Sequence, residues 1–131
     1  MTRITTGQYH AIIKKKKPKN KYGNKITEYN GRKYHSKKEA AYAAELDMLL
    51  NAKNDDLRVV EWQPQVKYDL VVKGTVVGHY VLDFLVRYAD GRTEYIDIKA
   101  KDKNGKFLTT NEYRLKKNLM KAIYDIDIIE Q

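Results

Sequence analysis

Apolar side chains change their spacing along this chain, and each change predicts a new element. Ile26-Thr27-Glu28-Tyr29 and Arg32-Lys33-Tyr34-His35 flank Asn30-Gly31. Asn-Gly between β-prone runs predicts a tight hairpin, because both residues accept positive φ. Ser36-Lys37-Lys38-Glu39 then matches a capping box, and a helix is expected to about Asn51, with Ala43, Leu46 and Leu50 on one stripe. Glu39 falls on that stripe and Glu45 does not. After Asn54-Asp55-Asp56 the spacing turns strand-like: Leu57–Trp62, broken by Pro64, then Val66–Val72, Val76–Tyr88 with Gly78 as a bulge, and Thr93–Lys99. A polar loop follows over Ala100–Lys106. Thr109 or Thr110 opens a last helix to about Tyr124, with Leu115, Leu119 and Ala122/Ile123 expected inward and Arg114, Lys117 and Lys121 outward. Ile126–Ile129 reads as a closing strand. The order predicts an α/β (α+β) domain, a mixed sheet with a helix on each side.

Within this frame three positions break the apolar pattern. Glu39 is a carboxylate on a buried stripe, and as a structural group it completes the capping box with Ser36. Asp83 interrupts the apolar strand Tyr80–Val86. Asp97 and Lys99 share a face at the end of the next strand, since strand side chains alternate. Whether Asp83 and Asp97 meet depends on the turn between their strands. A two-residue loop, Asp90-Gly91, sets Asp83 opposite Ile98 and puts the two aspartates on different faces. A three-residue loop, Ala89-Asp90-Gly91, sets Asp83 opposite Asp97. Both loops are common. In the second geometry the carboxylates repel, and a divalent cation removes the penalty. Oxygen donors of this kind suit Mg²⁺ or Mn²⁺ rather than zinc. A cation so held orients a phosphodiester and generates a hydroxide nucleophile, while Lys99 is placed to hold a phosphate oxygen or acidify the attacking water. His79 lies near Asp83 in sequence, but His35 and His79 do not make a zinc motif.

Charge supplies a matching partner. The 131 residues carry a net charge of +9, unevenly spread. Residues 1–38 contain twelve bases and one acid, Glu28, for +11; the other 93 residues sum to −2. Residues 1–24 therefore read as a basic arm, and 25–131 as the folded domain. Lys14, Lys15, Lys16, Lys17, Lys19 and Lys21, with Arg32, Lys33 and Lys37, are the expected nucleic-acid contacts. Tyr9, Tyr22 and Tyr29 among them could stack on bases. The arm lacks the apolar face of a membrane-surface helix. With no Cys the chain has no disulfides, and its apolar runs are too short to span a bilayer. A cytoplasmic protein is expected.

The ordered set of motifs resembles the PD-(D/E)xK nuclease superfamily, whose restriction-endonuclease-like core is a helix, three or four strands, a helix and a strand. Asp83 followed by Asp97-Ile98-Lys99 matches its Asp…(Asp/Glu)-x-Lys signature. The chain is most similar to small phage-encoded recombination endonucleases of this superfamily. Asn20-Lys21-Tyr22-Gly23, Ser36-Lys37-Lys38-Glu39-Ala40, Glu61-Trp62-Gln63-Pro64, Tyr80-Val81-Leu82-Asp83-Phe84 and Asp97-Ile98-Lys99 carry the likeness, over roughly residues 20–129. The resemblance implies Asp83 and Asp97 as principal metal ligands, Glu39 completing the site, Lys99 as catalytic lysine, and Gln63 lining the site. It also implies a Mg²⁺-dependent endodeoxyribonuclease, with Mn²⁺ able to substitute. Its DNA substrate would be branched or duplex, with four-way junctions favoured, and the enzyme a twofold dimer in the bacterial host cytoplasm. Leu82 stands where the motif has Pro, and Asp97 where many members have Glu. Two other readings compete: a sequence- or partner-directed nicking or end-cleaving nuclease, and a non-enzymatic basic nucleic-acid-binding protein.

Overall fold

The structure, a computed structural model, describes residues 25–131. The expected contacts at Lys14–Lys17, Lys19 and Lys21, and the basic arm itself, lie outside the described residues. Strands β1 (Thr27–Tyr29) and β2 (Arg32–Tyr34) pair antiparallel through Asn30-Gly31. Both turn residues have positive φ, 50° and 80°, as the Asn-Gly pair requires. Helix α1 (Lys37–Leu49) starts at Ser36, whose Oγ accepts the Glu39 backbone N–H at 3.1 Å. Its buried stripe is Glu39, Ala40, Ala43 and Leu46; Leu50 lies past the helix end and is exposed.

Strand β3 (Val59–Val72) and strand β4 (Thr75–Tyr88) form a long antiparallel hairpin. The expected break at Pro64 does not occur, and one strand runs through it, with Pro64 opposite Phe84. Strand β3 is at the sheet edge, so the missing proline N–H removes no ladder bond on its open side. A register shift between Leu70 and Val71 places a bulge beside Gly78, as the glycine suggested. Strand β5 (Thr93–Asp97) pairs antiparallel with β4, and β6 (Ile128–Glu130) pairs parallel with β5. The mixed sheet has the order β3-β4-β5-β6. Helix α2 (Asn111–Tyr124), capped by Thr110, makes the crossover from β5 to β6.

Two apolar clusters fix the helices. Phe84 and Ile96 belong to the cluster of α1; their chain neighbours Leu85 and Tyr95 pack against that of α2. Because strand neighbours point to opposite faces, the helices cover opposite faces of β4 and β5. Phe84 is fully buried, with the rings of Tyr34, Tyr42 and Trp62 around it at 5.1–6.0 Å. The inward side of α2 differs from expectation. Tyr113 and Met120 are its buried residues, Leu119 and Ile123 are half-buried, and Leu115 and Ala122 are exposed. The true stripe is set by the i, i+7 pair Tyr113 and Met120, which rotates the face away from Leu115. On β4, Tyr80 and Leu82 alternate onto the same side as Phe84 yet join the cluster of α2, so that side of the strand is shared by the two clusters, which divide at Asp83. Gln65 on β3, between Pro64 and Val66, has φ 53°, a local distortion of the hairpin at the same level.

Candidate active site

The turn between β4 and β5 decides the geometry left open by the sequence. Arg87 pairs with Thr93, and Tyr88 and Arg92 close the loop through Tyr88 N–H to Arg92 O at 2.9 Å. The loop is therefore Ala89-Asp90-Gly91, with Gly91 at φ 92°. Continuing the Phe84–Ile96 pairing by one step brings Asp83 opposite Asp97. There the ladder ends in an unusual way. Asp83 Oδ2 accepts the Ile98 backbone N–H at 2.7 Å, so a side chain takes the place of a strand carbonyl. Strand β5 stops at Asp97, two residues short of the expected Lys99.

Asp83, Asp97, Glu39 and Lys99 line one cavity of about 530 Å³ between the start of α1, the middle of β4, the end of β5 and the start of α2. Asp97 and Glu39 are buried. Glu39 accepts the Ser36 hydroxyl at 3.3 Å, so its capping and site positions are the same position. Burial pushes the Asp83 carboxyl well above the usual carboxylate range; its hydrogen bond with Asp97, the charge of Asp97 and the charge of Glu39 push the same way, and the Ile98 N–H opposes them. Lys99 Nζ sits 2.6 Å from Asp97 Oδ2 and 3.8 Å from the centre of the Tyr113 ring. Tyr113 is held in turn by donating to Glu130 Oε2 at 2.8 Å, an oxygen also contacted by Lys117 at 3.1 Å.

Among the described residues no three His, Cys, Asp or Glu side chains stand together as a ready-made metal cluster. The donor set nonetheless fits a hard divalent cation. Two adjacent carboxylates supply only oxygen, and with Lys99 already paired to Asp97 a divalent cation would supply the further positive charge that lets Asp83 ionise as well. Asp83 and Asp97 would hold such an ion, with Glu39 reaching it from the same cavity.

Other expected site residues go elsewhere. Gln63 is not part of the cavity wall; it is exposed on the edge strand, and its amide donates to Glu61 at 3.2 Å. Its strand position, opposite Leu85, is two pairs removed from Asp83 along the hairpin. Arg32 donates to Gln65 at 3.2 Å, and Lys33 and Lys37 are exposed away from the cavity wall. His79 does reach the wall, but its Nδ1 is 2.7 Å from Asp69 Oδ1. Several wall residues gave no sequence signal. The buried Tyr80 hydroxyl has no hydrogen-bond partner, and burial and the charge of Asp97 raise its pKa. Lys38 and Lys116 line the cavity; Lys38 stood out only as one base of a basic segment, and Lys116 not at all. Tyr113 could have been suspected from its place three residues after the Thr110 cap, at the helix end nearest the Asp-x-Lys strand.

No helix among the described residues is long and apolar enough to cross a membrane. Comparison with curated proteins and with solved structures gives no match. A family model described as "Protein of unknown function (DUF1064)" matches residues 19–128, which include every residue of the cavity wall, and the chain belongs to that family.

Proposed function

We propose that this protein is a metal-dependent endodeoxyribonuclease that hydrolyses phosphodiester bonds. The observation carrying the reading is the meeting of Asp83 with Asp97 at the end of the β4–β5 ladder, with Lys99 Nζ 2.6 Å from Asp97 and Glu39 in the same cavity. Bound there, Mg²⁺ or Mn²⁺ would supply Lewis acidity and a water acidified for attack. The chain's own groups do the rest. Asp83 and Asp97 provide the charge that retains the cation. Lys99, steadied by the Tyr113 ring, is the cation available to a phosphate oxygen or to the attacking water. Burial of Asp97 and Glu39 strengthens each electrostatic interaction by excluding solvent. The restriction-endonuclease-like topology is part of this proposal: helix, three strands, helix and strand follow in that order.

Branched DNA is the proposed substrate, cut by a twofold dimer in the bacterial cytoplasm. The support is the resemblance to phage recombination endonucleases and a basic segment suited to backbone contacts, which position without specifying sequence. The test is incision of labelled four-way junction, nicked duplex, linear duplex and single strand in Mg²⁺, Mn²⁺ and EDTA. Symmetric, metal-dependent cuts in the junction alone are expected. Cutting of every substrate would retain the nuclease and discard junction selectivity, and a single sequence-dependent nick would favour a directed nicking enzyme. Binding without cutting in either metal would contradict the nuclease.

A non-enzymatic nucleic-acid-binding role draws on one observation, the Lys99–Asp97 ion pair, which already neutralises one carboxylate. That reading leaves the Asp83 carboxyl as a structural acceptor for Ile98. It predicts no response to Mg²⁺.

A further inference from the structure

Two lysines, one of them in the cavity wall, share one aromatic ring. Lys38 Nζ lies 5.4 Å from the centre of the Phe107 ring, and Lys101 Nζ 4.9 Å from it. Neither pairs with a carboxylate among the described residues. Lys38 instead donates to the Lys99 carbonyl at 2.6 Å. The segment carrying the second lysine is closed on itself. Lys101 bridges Phe107, Leu108 N–H reaches Ala100 O at 2.8 Å, and Asp102 N–H reaches Lys106 O at 2.8 Å. The nearest acid in sequence, Asp102, is engaged by the N–H groups of Asn104 and Lys106.

Two ammonium groups over one ring repel each other. The ring attracts each by about 0.5–1 kcal/mol at an exposed site, an amount comparable to the repulsion it offsets. Without a carboxylate nearby, an external anion is the missing partner. Its position identifies the anion. Lys38 belongs to the cavity wall and directly precedes Glu39; Lys101 follows Lys99 by two residues.

We propose that Lys38 and Lys101, seated over Phe107, form a subsite for a backbone phosphate of the nucleic-acid strand, next to the phosphate that enters the cavity. The inference rests on the nuclease reading for its ligand, since it takes the strand through that cavity. It adds Lys38 and Lys101 to the expected backbone contacts of the folded domain, Arg32, Lys33 and Lys37, which stand away from the cavity wall.

Binding of labelled duplex and four-way junction in EDTA, where no metal-dependent cutting occurs, tests it. The proteins are wild type, the double variant Lys38→Gln/Lys101→Gln, the double variant Lys38→Arg/Lys101→Arg, and Lys67→Gln on β3, away from the cavity wall. Melting temperatures verify that each is folded. The Gln pair is expected to weaken binding about tenfold at moderate salt. Its log K against log salt should be shallower by about 0.9 for each phosphate left without its lysine. The Arg pair should restore both, and Lys67→Gln should leave both unchanged. Wild-type affinity and slope in the Gln pair would overturn the subsite while leaving the nuclease untouched. Equal losses in the Gln pair and Lys67→Gln would also overturn it, as a general effect of charge. No binding of either DNA by wild type would overturn the subsite and the nucleic-acid reading together.

Discussion

Asp83→Asn is expected to stabilise the metal-free protein, and by more as the pH rises. Asp83 accepts the Ile98 N–H at 2.7 Å and faces Asp97, while burial and two neighbouring carboxylates raise its pKa. Asparagine keeps the acceptor for Ile98 and places an N–H donor toward Asp97, so it copies the protonated acid. The sign follows from proton counting. Above the ordinary carboxyl range of about 4, the unfolded chain releases this proton and the folded protein keeps it. Folded-state stability therefore falls as pH rises through that window, up to the raised pKa. The slope is about 1.4 kcal/mol per pH unit. Between pH 5 and pH 7 wild type should lose about 2.7 kcal/mol that the variant retains, because burial and the neighbouring carboxylates push the Asp83 carboxyl up to about 10. Urea unfolding at pH 5, 6 and 7 in EDTA measures the difference directly, because titrations elsewhere in the chain cancel between the two proteins. A constant gap across the three pH values, or a less stable variant at pH 7, would refute the raised pKa of Asp83.

Three further outcomes test other parts of the account. Phe84→Ala should cost about 3–5 kcal/mol in denaturant unfolding, because the ring is fully buried among Tyr34, Tyr42 and Trp62. Ser36→Ala should cost about 1 kcal/mol through the lost N-cap and leave Glu39 without its hydroxyl partner; a stability equal to wild type would contradict the cap. Gln63→Ala should cut DNA at the wild-type rate, since its amide engages Glu61 outside the cavity; a rate falling a hundredfold would return Gln63 to the site.

Local chemistry made much of the fold legible. Asn30-Gly31, Ser36 and Thr110 each act within a few residues, and each turn or cap lies where its residue type predicts. Pro64 misled because a proline's meaning depends on whether its strand lies at an edge, which only the assembled sheet decides. The inward face of α2 misled for a related reason. Leu115 is exposed because Tyr113 is recruited by Lys99 and Glu130, partners distant in sequence. At the site, Asp83, Asp97, Lys99 and Glu39 were readable as carboxylates and a lysine in apolar settings. Their meeting was not, because it turns on one residue of loop length. Gly91 at positive φ, completing a three-residue turn, settles it. Tyr80 and Lys116 carried no site signal of their own, since tyrosines and lysines are common throughout this sequence and only tertiary packing selects those at the cavity wall.

The central claim is that Asp83 and Asp97 hold a divalent cation at the cavity. Thermal and urea unfolding with increasing Mg²⁺, for wild type and Asp97→Asn, tests it most directly. Wild type should gain about 2.7 kcal/mol when free Mg²⁺ reaches a hundred times its dissociation constant, and Asp97→Asn should gain far less. Equal gains in both proteins, or none in wild type up to tens of millimolar Mg²⁺, would contradict the metal site.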